Sequence, residues 1–239
     1  MTNGTLISVL GLGLILGFRH ALDPDHIVAV STIISESKSV RRSSLVGTFW
    51  GLGHTVSLLS AGVLVIALRV QISGQVALWM EFAVALMLVM LGVKAMFKSL
   101  RGWKLHVHRH THDGSSHIHA HLHSPGEEHA HQHRHLIRSG ARSFFVGMVH
   151  GMAGSAALTI LVLATIPSAV AGLIYIAIFG LGSVGGMVLM SSLISLPFVL
   201  SRKRFNVLNE GLQVMVGLFS LSFGLFLVWQ YVFHEHLFF

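Results

Sequence analysis

Six runs of apolar residues, roughly 5–34, 44–68, 76–97, 143–165, 169–199 and 208–233, leave this chain few ways to fold. About 20 apolar residues cross the hydrocarbon of a bilayer, so each run is long enough for one crossing. No water reaches that layer, and a crossing segment must satisfy its own backbone hydrogen bonds, which makes all six helices. The composition agrees: 10% of the 239 residues are charged and 53% hydrophobic, whereas soluble domains carry roughly 25% charged residues. The expected fold class is an all-α integral membrane protein. Residues 1–18 contain no Lys or Arg, and the first run ends in Arg19-His20 rather than at a small-residue cleavage site, so it reads as a retained span and not as a secretory signal.

The formal charge of +7 would suit a nucleic-acid partner if the basic residues shared one face. They are scattered between the apolar runs instead, so no nucleic acid is expected and the lipid bilayer is the partner. With the loops assigned alternately to two sides, Lys38, Arg41 and Arg42 fall in the first loop. Lys94, Lys98, Arg101, Lys104, Arg109, Arg134, Arg138 and Arg142 fall in or beside the third, and Arg202, Lys203 and Arg204 in the fifth. Only Arg69, in the second loop, and Arg19, inside a span, stand apart. The positive-inside rule then puts these odd loops in the cytoplasm and both termini outside the cell membrane.

An internal repeat divides the chain. Gly17-Phe18-Arg19-His20 has a counterpart in Gly147-Met148-Val149-His150, Gly51-Leu52-Gly53 in Gly180-Leu181-Gly182, and Glu81 in Glu210, always at an offset of 129 or 130. Three matches in order predict a duplicated three-helix unit. Three crossings per unit is odd, so the halves are inverted in the membrane, a recurring transporter design with the site near the midplane. The domains are then residues 1–100 as repeat 1, 101–141 as a cytoplasmic His-rich loop, and 142–239 as repeat 2. The halves differ in chemistry: Asp25 and His26 correspond to Ser155 and Ala156, and His54 to Ser183.

With no Cys and eighteen His, any transition metal must use imidazole, carboxylate, thioether or backbone oxygen. His20-Ala21-Leu22-Asp23-Pro24-Asp25-His26 places two imidazoles and two carboxylates in the middle of an apolar run, where such groups are costly and mark ion or proton paths. On a regular helix positions 20, 25 and 26 share no face. Pro24 removes a hydrogen bond and disfavours helical geometry at Asp23, so an interruption there would gather His20, Asp25 and His26. The plainer alternative is that these groups only pin a kinked helix. Arg19 either offsets the acids or snorkels to the outer interface. His54, after two glycines that allow close helix approach, and His150, the repeat partner of His20, are further candidate ligands. For both, the alternative is a packed, hydrogen-bonded histidine. Met152 is a candidate thioether or a packing residue. Glu81 and Glu210 are expected to be favourable charges near helix starts, with proton coupling the lesser alternative.

These residues resemble a known family. His20, Asp25 and His26 fit the H-x4-D-H signature of the nickel/cobalt transporters, and Leu52-Gly53-His54 is similar to a second motif of that family. His150-Gly151-Met152-Ala153-Gly154-Ser155 is similar to the short UreH-type branch of urease accessory or nickel transport proteins. The resemblance covers the six spans. It implies transport of Ni(II) or Co(II), with the signature residues in metal recognition.

Twelve of the histidines stand in three blocks of alternate spacing: His106, His108, His110, His112; His117, His119, His121, His123; and His129, His131, His133, His135. Alternate residues of an extended chain share a side, so neighbours within a block can chelate one divalent ion. The composition builds no core, and a disordered auxiliary metal-binding loop is expected. A solvated linker that titrates near the His pKa is the alternative.

The function expected from these features is a secondary carrier for Ni(II), or Co(II), with His20, Asp23, Asp25, His26, His54 and His150 as metal-site residues. It would have no resident cofactor and no catalytic residues. Uptake feeding metalloenzyme maturation through cytoplasmic nickel-accepting proteins is favoured, and efflux is the closest alternative. A membrane metalloenzyme, or a sensor, would need more intramembrane His or an output domain. The chain contains no G-x-x-x-x-G-K phosphate loop for ATP coupling.

Overall fold

Chain breakers decide where the apolar runs begin and end. In the computed structural model the described residues are 3–68, 73–102, 104–112, 115–123, 140–153, 168–204, 206–235 and 237. The first run divides into α1 (Asn3–His20) and α2 (Pro24–Ile34), with Pro24 as the first residue of the second helix. That is the one helical position where a missing N–H costs nothing. Asp23 precedes it in extended geometry, φ −61° and ψ 143°. Two tightened turns, Leu22 N–H to the Arg19 carbonyl (2.9 Å) and Asp23 N–H to the His20 carbonyl (3.0 Å), close the end of α1.

The remaining helices are α3 (Val40–Leu68), α4 (Gly74–Gly102), α5 (residues 140–153), α6 (Ala169–Arg204) and α7 (Asn206–Trp229). A π turn, Gln230–His234, continues α7. Four stretches, Val40–Val65, Gly74–Ser99, Ala169–Ser201 and Val207–His234, are long and apolar enough to cross a bilayer. The described apolar parts of α1 and α2 are shorter. Most of the fourth expected span, residues 154–165, lies outside the described residues.

One expectation needs correction. The fifth loop is almost absent: Arg202, Lys203 and Arg204 continue α6 to its end, where cationic side chains suit the helix dipole. Lys104–His112 (β1) and Ser115–His123 (β2) form an antiparallel pair, and the third His block lies outside the described residues. Between the histidines, Leu105, Val107, Ile118 and Leu122 alternate with them in the pattern a strand requires.

Packing follows small residues. α3 lies along α6, α4 along α7, and α1 along α6, while α2 is held among α4, α6 and α7. A methyl group on Gly17 would overlap the Phe179 carbonyl, so α1 meets α6 at backbone distance. The core surrounds α2, where Ala29 and Ile34 are fully buried beside Trp50 and Leu88. The outer faces carry Leu12, Ile15, Met90, Phe97, Leu181 and Leu200, while His54, Ser183, Ser191 and Ser195 are inside. An apolar exterior over a polar interior is the distribution that hydrocarbon solvent selects.

Candidate metal centre

The break between α1 and α2 sets the geometry of the polar cluster. His20 ends α1, and Asp25 and His26 lie in the first turn of α2, so two helix ends converge where a continuous helix would have splayed these residues apart. His54 comes from the middle of α3 and His150 from α5. Close helix approach brings the last two in: Gly53 packs against the Phe144 carbonyl of α5, and a methyl on Gly151 would lie 2.6 Å from the His54 carbonyl oxygen.

Four imidazoles and one carboxylate result. Donor atoms of His20, His26 and His54 all lie within 4.8 Å of one another, and so do those of Asp25, His26 and His150. His26 belongs to both groups. Its ring centroid is 4.0 Å from that of His150, 4.6 Å from His20 and 5.2 Å from His54. Asp25 spans the cluster, with Oδ1 3.1 Å from His26 Nδ1 and Oδ2 2.8 Å from His150 Nε2. Its Oδ1 also accepts the His26 backbone N–H at 2.9 Å.

Burial makes the leftover donor atoms informative. His26, His54 and His150 are 3%, 0% and 2% exposed, yet His26 Nε2, both ring nitrogens of His54, and His150 Nδ1 have no hydrogen-bond partner. Buried polar atoms are rarely left unpaired. Unpaired imidazole nitrogens on three buried histidines, with a carboxylate fixing His26 and His150, fit a first-row divalent ion of the Ni(II), Co(II) or Zn(II) type.

Asp23 falls outside both donor groups. Its Oδ2 lies 2.6 Å from His20 Nδ1, where it can orient that ring and direct Nε2 elsewhere. Arg19 is exposed and takes part in no ion pair among the described residues. Met152 is 42% exposed. Glu81 and Glu210 both lie beyond the first turns of α4 and α7, so the helix-start reading fails for both. Glu81 instead hydrogen-bonds Tyr231.

Trp50 was not a sequence candidate. Its fully buried indole stacks on His26 (6.3 Å, 18° between planes) and lies 5.7 Å from His150, walling one side of the cluster. Its place four residues before His54, one turn away on the same helix face, was the available signal.

A family model described as high-affinity nickel-transport protein, NicO, matches residues 6–225. The chain belongs to the NicO family. Every described residue of the polar cluster lies inside the matched region. A relative named urease accessory protein UreH, from Bacillus sp. (strain TB-90), is 39% identical over 220 residues, covering 92% of this chain and 90% of its own length. No solved structure matches. The family is one of nickel transport.

Proposed function

We propose that this NicO protein carries Ni(II) across the cell membrane through the cluster of His20, Asp25, His26, His54 and His150, in the direction of uptake, and that the metal serves urease maturation. The observation that carries the reading is the set of unpaired ring nitrogens on three buried histidines around Asp25, inside a bundle with an apolar exterior. Identity to a urease accessory protein over nearly the whole chain supports the destination. Co(II) has similar ligand preferences and is the second cargo to test. The cargo arrives and leaves, so the protein needs no resident cofactor.

Six crossings in two inverted halves are part of this reading. The support is that helix contacts recur when the halves are exchanged. Gly17 packs on the Phe179 carbonyl, and its repeat counterpart Gly147 packs on the carbonyl of Trp50, the counterpart of Phe179. Gly53 on Phe144 pairs in the same way with Gly182 on Leu14, and Gly51 on Val184 with Gly180 on Thr55. Each half thus lends its first helix to the second helix of the other, and the metal-type residues sit at the seam. The charge pattern supports N- and C-termini outside and a cytoplasmic His-rich segment, in which imported ions are concentrated before transfer to acceptor proteins.

Radioactive nickel flux into proteoliposomes of defined protein orientation tests cargo and direction together. Accumulation from the side bearing the termini is the expected result. Accumulation only from the side bearing the His-rich segment would reverse the direction to efflux, and absence of nickel flux in either direction would overturn the proposal.

A further inference from the structure

The seam between α3 and α6 carries two aromatic residues in equivalent places. Trp50 lies ten residues after the start of α3 (40 to 50), and Phe179 ten after the start of α6 (169 to 179). The two helices run antiparallel: Thr55 Oγ1 lies 3.2 Å from the Gly180 carbonyl, Gly51 packs on Val184, and the Ser44 and Ser192 hydroxyls meet at 2.8 Å. Phe179 is therefore level with about residue 56 of α3, and at 1.5 Å per residue it stands roughly 9 Å along the axis from Trp50, with His54 between them. Each ring rests on a histidine of the polar cluster. The centroid of Phe179 is 5.5 Å from that of His20 with 42° between planes, and that of Trp50 is 5.7 Å from His150 with 52°. His20 and His150 are repeat counterparts, as Trp50 and Phe179 are, so exchanging the halves turns one contact into the other. Both aromatic side chains are buried, 0% exposed for Trp50 and 5% for Phe179.

We propose that these two residues are the gates of the metal centre, Trp50 closing it toward the end of the bundle where α3 begins and Phe179 toward the end where α6 begins. The inference rests on the reading of the cluster as the transport site and adds how that site is sealed. On the topology drawn from the charge pattern, Trp50 is the cytoplasmic gate and Phe179 the outer one. A carrier of inverted halves exposes one central site to each side in turn. Its two closing residues must then occupy places that the exchange of halves interconverts, and Trp50 and Phe179 do. Breaking the ring contact of one gate destabilises only the states closed on that side, so the share of molecules open there rises. A contact between aromatic rings shifts such an equilibrium about 2- to 10-fold.

The chain has no Cys, so one introduced thiol reports access to the centre. Ser183 is fully buried and, one residue before Val184, level with about residue 52 of α3, between the two rings. The full chain carrying S183C is placed in vesicles and labelled with a membrane-impermeant maleimide supplied from one side at a time. H54C, read by labelling alone, serves as a second reporter. Adding F179L should raise the labelling rate about 2- to 10-fold from the side bearing the termini only, and W50L by as much from the side bearing the His-rich segment only. W50F keeps a ring against His150 and should label as the reporter alone does. Equal increases from both sides, or no sided change in either variant, would overturn the gates, because a packing residue loosened by substitution has no preferred side. Nickel flux by the wild type decides the transport reading separately: flux without sided labelling removes the gates and leaves the transport site.

Discussion

Asp25→Asn isolates what the carboxylate contributes to the metal centre. The side chain keeps its size, so the helix break and the packing around Val28, Ala29 and Val30 are undisturbed. Asp25 accepts from His26 Nδ1 at 3.1 Å and from His150 Nε2 at 2.8 Å. Those contacts fix two imidazoles and leave His26 Nε2 and His150 Nδ1 for an ion. An amide has only one oxygen, so at least one ring loses its acceptor and faces an NH2 group. A hydrogen bond to a charged group contributes about 1.5–3 kcal/mol. At 1.4 kcal/mol per tenfold, one such loss weakens nickel binding roughly 10- to 100-fold, the range typical for partners that orient a metal ligand. The assay is nickel flux in proteoliposomes as a function of concentration, with thermal melting of the purified protein as a control. The half-saturating concentration should rise at least about tenfold, and the melting temperature should fall modestly, because the same bond is lost from the ion-free protein. An unchanged half-saturation point in a well-folded variant would refute the assignment of Asp25 to the site.

Loss of the shared ligand should be harsher: His26→Ala is expected to abolish flux, and near-wild-type flux would remove the central claim. Trp50→Phe keeps a ring against His26 but sheds the unpartnered indole N–H; quenching of tryptophan fluorescence by Ni(II), compared between the wild type and this variant, should lose its largest component. Gly53→Leu would force α3 from the Phe144 carbonyl, so flux and melting temperature should both fall, while Gly11→Ala, with open space around it, should change neither. Deleting residues 106–135 should spare flux at saturating nickel and lower loading when nickel is scarce.

The site was legible in sequence wherever chemistry and geometry coincided in a few residues. Pro24 within an apolar run is enough to predict a helix break, and the break explains why His20, Asp25 and His26 meet. His54 and His150 were found because polar residues in apolar helices stand out, and the repeat gave His150 its place. Asp23 illustrates the limit. Composition makes the two acids of Asp23-Pro24-Asp25 equivalent, yet Asp23 stands just before α2 and pairs with His20, while Asp25, in the first turn of α2, faces two imidazoles. Which acid faces inward depends on the helix phase after the break, a property of backbone angles rather than residue types. Trp50 was missed for the opposite reason: tryptophan in a membrane helix is ordinary, and only contact with His26 distinguishes it.

The His-rich segment shows how one dominant residue type can hide a pattern carried by its neighbours. Histidine at every second position satisfies a solvated chain and a strand equally well, and low apolar content argues for the first. Leu105, Val107, Ile118 and Leu122 at the alternate positions, together with Asp113-Gly114 between the blocks, favour the second. In the membrane helices the chemistry is carried differently: the break at Pro24 and the close helix contacts at Gly53 and Gly151 bring His20, Asp25, His26, His54 and His150 together before any ion arrives, so the candidate site depends on the phase and approach of its helices rather than on the number of its histidines.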